Sequence, residues 1–209
     1  MAALLVLSGC DTKPNAARTE TAPLPASMTL PPSGLPAEAE QALRERGNAI
    51  VKQAGALLSS NLLGAIQARG ITNALAYCSV HALPLTDSVG SNTQVTLRRV
   101  SHKARNPQDR ADPFELEVLR RFQSELTPQQ PPGPFLTSNR ADTVTFFSPI
   151  LITDALCLNC HGQAGTEIVP ENLAFIRRLY PQDGASGFKL GDLRGAWRVD
   201  FPRMAGKGK

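Results

Sequence analysis

The sequence predicts an α+β domain in which several helices accompany a small antiparallel sheet. Three observations support this class. Apolar residues recur at three- and four-residue intervals over residues 37–69, as on one face of a long helix. Residues 93–101, 142–152 and 196–201 instead alternate or are rich in β-formers, as in strands. Helical and strand segments do not alternate regularly along the chain, which favours antiparallel over parallel strands.

The helices are delimited by prolines, glycine and capping residues. In chain order, they are predicted at residues 37–69, 72–83 and 112–126, in a short segment that begins at Asp154, and at residues 170–180. Pro36 suits the first turn of the long helix, and Gly70 suits its end. Pro84 ends or kinks the second helix. Asp112 can cap the third helix while Glu115 reaches back to it, as in a capping box.

The composition argues against three broad classes of protein. The chain carries 22 Lys and Arg against 18 Asp and Glu, a net charge of +4, and 5% of its residues are aromatic. This mild charge with few aromatic side chains argues against a nucleic-acid-binding surface. No apolar run approaches the ~20 residues of a membrane-spanning helix, so a transmembrane protein is not expected. The four cysteines are too few for a disulfide scaffold.

The ends of the chain differ from the domain between them. Residues 1–10 are apolar and end in Leu-Ser-Gly-Cys, which resembles the lipobox of bacterial lipoproteins, so we interpret them as a truncated signal lipidated at Cys10. A short apolar terminus with an incidental cysteine is the alternative. Residues 11–36 are rich in proline, which donates no backbone hydrogen bond, and are interpreted as a tether. Residues 37–203 form the folded domain, and residues 204–209 a basic tail.

The pentapeptide Cys-Leu-Asn-Cys-His at residues 157–161 matches the pattern through which c-type haem is attached covalently. On a helix, Cys157 and Cys160 lie one turn apart on one face, where their thiols can add to two vinyl groups on one porphyrin edge. His161 projects from the same face and can coordinate the iron. One short segment thus supplies two thioether bonds and an axial ligand for one haem c.

A dithiol redox motif, a zinc site and a disulfide are the alternatives for Cys157 and Cys160. A redox pair does not require a histidine directly after it. A zinc site needs a second pair of ligands, and the remaining Cys78, His81 and His102 are not spaced as in a zinc finger. A disulfide is compatible with an exported protein. We favour haem because c-type haem is attached on the exported side of the bacterial membrane, in agreement with the signal.

The second axial ligand of the iron has three candidates. Cys78 and His81 lie three residues apart on one predicted helix and share a face, whereas His102 follows a strand. A lone buried cysteine is usually a small apolar side chain. The residues alone do not separate the three. Met28 lies in the tether and Met204 in the tail, so both are poor candidates.

A cluster of basic residues follows the first predicted strand. Arg99, Lys103 and Arg105 can pair with the two propionates of a haem, since guanidinium and ammonium groups bind carboxylates. Arg98 and Arg110 belong to the same cluster. The alternative is a solvated basic surface, and the sequence does not choose between the two.

The motif and four further stretches occur in an order that resembles a family of periplasmic single-haem domains, long known only as a domain of unknown function. These stretches are AYCS at 76–79, RVSHKARNP at 99–107, ADPFE at 111–115 and GDLRGAW at 191–197. The resemblance covers residues 40–201. It implies a PAS-like α+β fold, with a long N-terminal helix and a small antiparallel sheet flanked by helices. Members of this family also occur as the extracytoplasmic part of some histidine kinases.

The same resemblance implies the iron ligands. The haem of that family is six-coordinate with histidine and cysteine, so His161 would be the proximal ligand here and Cys78 the distal thiolate. A thiolate favours ferric iron and lowers the reduction potential. Reduction weakens the bond to a thiolate, and His81, one helical turn away, is then the candidate replacement.

These features predict a periplasmic haem protein, tethered to a membrane surface, that transfers electrons or senses redox state or a small ligand. The expected partner is a redox protein or a component of a sensor system, and not nucleic acid. A six-coordinate iron disfavours an enzyme. The alternatives are a peroxidase-like enzyme with an open distal site, where His81 or His102 serves as acid or base, and a haem-free lipoprotein binding module.

Overall fold

The computed structural model of the chain describes residues 29–203. The predicted lipidation site Cys10, the tether up to residue 28 and the basic tail lie outside the described residues. In order, the described chain forms α1 (Ala37–Thr93), β1 (Thr96–Val100), a 3-10 helix (Pro107–Asp109), α2 (Pro113–Glu125), β2 (Phe135–Arg140), β3 (Thr143–Leu151), α3 (Ala155–His161), α4 (Pro170–Leu179) and β4 (Leu193–Pro202).

The four strands form one antiparallel sheet in the order β1-β4-β3-β2. The predicted α+β class with an antiparallel sheet is therefore confirmed. Strand β2 was not predicted. Its first three side chains are buried and its last two are exposed, so it lacks the alternation that marks a half-buried strand. Strand β4 begins at Leu193 rather than at residue 196. Gly195 lets it approach β1, since a Cβ at this position would collide with the carbonyl oxygen of Val100.

Helix α1 unites the two predicted N-terminal helices. They meet at Arg69 and Gly70, whose backbone is not helical, and Gly70 has φ 78°. Of the two effects predicted for Pro84, an end of the second helix is wrong, because the helix continues to Thr93. Tertiary packing outweighs the missing hydrogen bond of the proline: Val89 joins the main core, and Gly90 lies directly against β1. The first strand consequently begins later than predicted.

Helices α2 and α3 begin at capping residues, as predicted. The Glu115 amide donates to Asp112 Oδ1 at 2.8 Å and the Asp112 amide donates to Glu115 Oε2 at 2.8 Å, which completes the capping box of α2. The Leu156 amide donates to Asp154 Oδ1 at 2.7 Å, which fixes the start of α3. The predicted loop at residues 106–110 contains a 3-10 helix, capped by the side chain of Asn106.

Apolar side chains cover both faces of the sheet. Phe146 on β3 packs with Ile50 and Ala54 of α1 in one cluster, and Phe147 packs with Phe122 of α2 in another. Neighbouring residues of β3 thus face opposite layers, as the pleat requires. The Phe146 ring approaches the backbone of α1 at Gly47, where a Cβ would lie 2.6 Å from the ring. The sheet is therefore held between α1 and α2.

By length and composition, α1 could cross a membrane, with a mean hydropathy of 1.2 over its most apolar window of 18 residues. The expectation that no segment has this character is therefore wrong. Some apolar side chains of α1 have contacts within the domain, whereas Leu63 and Val80 on the same helix are exposed. Ile50 and Ala54 pack on the sheet, and Leu58 and Leu62 line a cavity beyond it.

The two ends of the sheet have different neighbours. At one end, where the last residues of β3 pair with the first residues of β4, β3 is followed directly by α3, and the cavity lies beside them. At the other end, the segment before α1 is attached to the sheet: Thr137 donates to the carbonyl oxygen of Pro31 at 2.6 Å, and Arg203 donates to that of Ser33. The described end of the tether is thus bound at the end of the sheet away from the cavity.

Candidate functional site

Helix α3 places the side chains of its motif in a cavity of about 310 Å³. The cap at Asp154 starts the helix immediately after β3, so that Cys157, Cys160 and His161 all lie on its cavity side. This arrangement follows from the spacing of the motif, because residues three and four apart share one helical face. The motif thus brings two thiols and one imidazole to the lining of one cavity.

The opposite wall of the cavity is largely apolar and comes from α1. Its apolar lining residues are Leu58, Leu62, Ile66, Ile71, Ala74, Leu75 and Ala82. Cys78 lies among them, so one cavity contains the predicted distal cysteine and the motif of α3. The half of α1 after the break is held in place by α4, where Leu75 packs with Ile176, and Thr72 donates to Asn172 Oδ1 at 2.9 Å.

The two other candidate ligands lie elsewhere. His81 is exposed and its ring lies on that of Tyr77, with 4.3 Å between the centroids. His102 is also exposed, and its ring is inclined at 72° to the Phe188 ring, with 6.3 Å between the centroids. Neither residue belongs to the lining of the cavity, whereas Cys78 does. Of the three residues left open by the spacing alone, the structure brings Cys78 to the motif.

The imidazole of His161 is oriented for coordination. Its Nδ1 lies 2.8 Å from the carbonyl oxygen of Ala185. Because a carbonyl oxygen only accepts, Nδ1 must carry the proton, and the lone pair of Nε2 is left for a metal. Burial lowers the pKa of His161 well below its usual value, and the positive charges of Arg194 and Arg105 lower it further. The ring is therefore neutral at physiological pH, as a ligand must be.

The three cysteines of the cavity are free thiols, so Cys157 and Cys160 do not form the alternative disulfide. Burial raises the pKa of Cys160 to about 11, although Arg105 opposes the shift. Burial also raises the pKa of Cys78, against the charges of Arg99 and Arg105. A redox-active dithiol requires a lowered pKa, so these environments do not favour that alternative. Within residues 29–203, no group of three His, Cys, Asp or Glu side chains could hold a metal ion such as zinc.

Arginine side chains give part of the cavity a positive charge. Arg99 and Arg105, which the sequence marked as candidates, line it together with Arg194. Arg99 forms a salt bridge with Asp109 at 3.4 Å, and Arg105 with Asp183 at 3.1 Å. The Arg99 Nε atom is buried and has no hydrogen-bond partner in the described part of the chain. An anionic group in the cavity would therefore meet several guanidinium groups.

Arg194 is the residue of this cluster that sequence reasoning missed. Its guanidinium donates to Ser101 Oγ at 2.8 Å and to the carbonyl oxygen of Lys103 at 3.1 Å, and within residues 29–203 it forms no salt bridge. Burial, with the charges of Arg105 and Arg99, lowers the pKa of Arg194 to about 10. Arg194 lies at the start of β4, beside the end of β1. Its place in the cavity can be inferred only when the pairing of these two strands is known.

The remaining basic candidates face other partners. Lys103 donates from Nζ to the carbonyl oxygen of Ser186 at 2.9 Å and lies over the Phe188 ring. Arg98 forms a salt bridge with the buried Glu115 at 3.6 Å, and Arg110 is exposed. Of the basic run predicted as one cluster, only Arg99 and Arg105 thus line the cavity.

A family model described as Tll0287-like matches residues 36–202, which is most of the chain. The chain belongs to the Tll0287-like family. A solved structure of the cyanobacterial heme-protein Tll0287 matches with a TM-score of 0.57 and 22% sequence identity, and covers 77% of this chain and 94% of the other. At this identity the match shows a shared fold. No curated protein matches the chain. The likeness to PAS domains that the sequence implied stays a prediction.

Proposed function

We propose that this chain is a c-type haem protein that transfers electrons or reports redox state. The observation that carries the proposal is the pairing of the CxxCH helix with Cys78 across one apolar cavity. Membership of the Tll0287-like family and the heme-protein with the same fold support it. Within the described part of the chain, two further cavities, one beside Tyr77 and one beside Gly90, are lined by no cysteine or histidine side chain.

The donor set of the cavity fits a haem. Two thiols one helical turn apart suit two vinyl groups, the Nε2 lone pair of His161 suits iron, and the aliphatic wall of α1 suits a porphyrin face. Bound haem would supply a one-electron redox centre. We propose that Cys157 and Cys160 carry it covalently and that His161 and Cys78 are its axial ligands.

The ligand pair determines what the protein can do. A thiolate at Cys78 stabilises ferric iron and lowers the reduction potential. The cost of ionising this buried thiol, seen in its raised pKa, must be offset by the bond to a metal. Two protein ligands leave no position for a substrate on the iron. This favours electron transfer or a redox switch over peroxidase-like catalysis, and His81 and His102 lie outside the cavity where an acid or base would be needed.

The arginines of the cavity are the proposed partners of the haem propionates. Arg99 and Arg194 support this role best, because Arg99 Nε is buried without a partner and Arg194 lacks a salt bridge among residues 29–203. A carboxylate placed between them would gain charge-assisted hydrogen bonds. Arg105 remains a candidate, although its guanidinium already pairs with Asp183.

The proposed location follows from the N-terminal segment. If Cys10 is lipidated, the tether holds the domain beside a membrane on the exported side. Pro31 and Ser33 attach the described end of the tether at the end of the sheet away from the cavity. A soluble redox or sensor protein would then be the partner.

The proposal is tested by spectroscopy of protein produced in a host that matures c-type cytochromes. The ferric protein should be coloured and low-spin, with the absorption and electron-spin resonance signature of a thiolate ligand. In Cys78→Ala this signature should vanish, whereas His81→Ala and His102→Ala should leave it unchanged. A high-spin resting state with rapid peroxide turnover would instead indicate the enzyme, and a colourless protein the haem-free binding module.

A further inference from the structure

Residues 183–188, which we call the strap, lie against helix α3. The amide of Phe188 donates to the carbonyl oxygen of His161 at 2.9 Å, and that of Gly187 to Gly162 at 2.7 Å. The carbonyl oxygen of Ala185 accepts the hydrogen bond from His161 Nδ1. The Phe188 ring is also perpendicular to the imidazole, with centroids 6.3 Å apart. The strap therefore holds both the backbone and the ring of His161.

An ion pair fixes the strap in place. Arg105 donates from Nε to Asp183 Oδ1 at 3.1 Å and from Nη2 to Oδ2 at 3.3 Å, a two-pronged arrangement. Asp183 Oδ1 also accepts from the amide of Ala185 at 3.0 Å. The side chains of Arg105 and Asp183 are 11% and 7% exposed, so solvent screens their attraction weakly.

The same guanidinium reaches across to the motif. Arg105 Nη2 donates to the carbonyl oxygen of Cys160 at 2.6 Å and to that of Ala185 at 3.3 Å. One side chain thus contacts α3, the strap and the carbonyl group that orients His161. Without this connection, Ala185 would keep the hydrogen bond from His161 and its packing with Ile152 and Phe188, but no ion pair would hold the strap.

We infer that the ion pair of Arg105 and Asp183, which we call the clamp, positions His161. The clamp holds the strap against α3 and thereby fixes the plane of the imidazole ring. This role is separate from any contact of Arg105 with a propionate, and it rests on the proposed function because the ring matters as an iron ligand. Partners that orient a ligating histidine commonly tune its metal, which gives the clamp a measurable consequence.

The test separates geometry from charge. Arg105→Lys keeps the positive charge but loses the two-pronged contact with Asp183, and Arg105→Gln loses both. Asp183→Asn removes the negative charge of the ion pair. Arg178→Gln is the matched control, because it removes one positive charge from the exposed Arg178 on α4. Ferric electron-spin resonance, the reduction potential and amide hydrogen exchange are measured for each haem-loaded protein.

The clamp predicts that Arg105→Lys, Arg105→Gln and Asp183→Asn each give a broadened or split low-spin signal. The amides of Gly187 and Phe188 should exchange roughly 10- to 100-fold faster in all three, as expected from the loss of charge-assisted hydrogen bonds. Arg178→Gln should match the parent. If Arg105→Lys also matches the parent in spectrum and exchange, while Arg105→Gln only lowers the potential, Arg105 acts through its charge and the clamp is wrong.

The parent protein provides a second test that needs no variant. The amides of Ala185, Gly187 and Phe188 should exchange at one slow common rate, because the clamp makes the strap a single unit. Fast, independent exchange of these amides would overturn the inference even if every variant failed to fold. A colourless parent would contradict the proposed function, whereas a coloured parent with a loose strap would contradict the clamp alone.

Discussion

The two sides of the cavity are constructed in different ways. The α3 side is local: its two thiols and its imidazole come from one helix of seven residues, with its own cap at Asp154. The Cys78 side is assembled by tertiary structure, because its position depends on the break in α1 and on packing against α4. A local motif can bind its group before the domain is complete, whereas the opposite ligand requires the finished fold.

The largest expected effect falls on the local side. Cys157→Ser combined with Cys160→Ser should abolish covalent haem, because no thiol remains to form a thioether on α3. Haem staining of a denaturing gel measures this. Cys78→Ala is the matched control and should keep the stain, since Cys78 lies on the other wall. If Cys78→Ala alone lost the stain, the two sides would not be independent.

The assembled side should control the potential. Cys78→Ala removes a negative ligand that stabilises ferric iron, so the reduction potential should rise, on the order of 0.1 V. A spectroelectrochemical titration measures the change, with His81→Ala as the control because this exposed histidine lies outside the cavity lining. An unchanged potential in Cys78→Ala would remove Cys78 from the iron.

The break in α1 connects the fold to the distal ligand. Gly70 has φ 78° and ψ −173°, a region that only glycine occupies readily, so Gly70→Ala should cost about 1–3 kcal/mol of unfolding free energy. Gly64→Ala, inside the helix and with open space around it, should instead stabilise by about 0.5–1 kcal/mol. Chemical denaturation measures both. Equal effects at the two glycines would mean that the backbone at the break does not require glycine.

The smallest expected effect is a pH dependence at Asp109, which lines the cavity beside Arg99. Burial raises the pKa of Asp109, against the opposing charges of Arg99, Arg194 and Arg98 and with a further upward push from Asp87. A raised folded pKa means that stability is complete below the unfolded pKa and is lost as pH rises through the folded value. Asp109→Asn removes this loss.

The variant should therefore gain unfolding free energy relative to the parent at pH 7, and the gain should shrink towards pH 3. Denaturation curves at the two pH values measure the difference. A difference that is the same at both, or larger at pH 3, would show that the salt bridge with Arg99 outweighs the burial of the carboxyl.

The sequence was sufficient where the signal is local. The α+β class, the break at Gly70, the capping box of Asp112 and Glu115, and the short helix of the motif all follow from nearby residues. Sequence reasoning failed where distant packing decides the outcome. It missed strand β2, and it ended the second helix at Pro84 although burial of Val89 carries the helix on.

The site shows the same division. Helical spacing placed Cys78 and His81 on one face, but three residues turn a helix by about 300°, which leaves the two side chains roughly 60° apart. This offset is enough for Cys78 to line the cavity while His81 is exposed. Arg194 was missed for a related reason, since only the pairing of β4 with β1 brings it to Ser101 and the cavity.

The most direct test of a haem held between α3 and Cys78 is the intact mass of the mature protein, measured under denaturing conditions after expression in a maturation-competent host. We expect the polypeptide plus one haem, with the added mass retained through organic solvent and acid because thioether bonds carry it. The mass of the bare polypeptide from that host would contradict the proposed site.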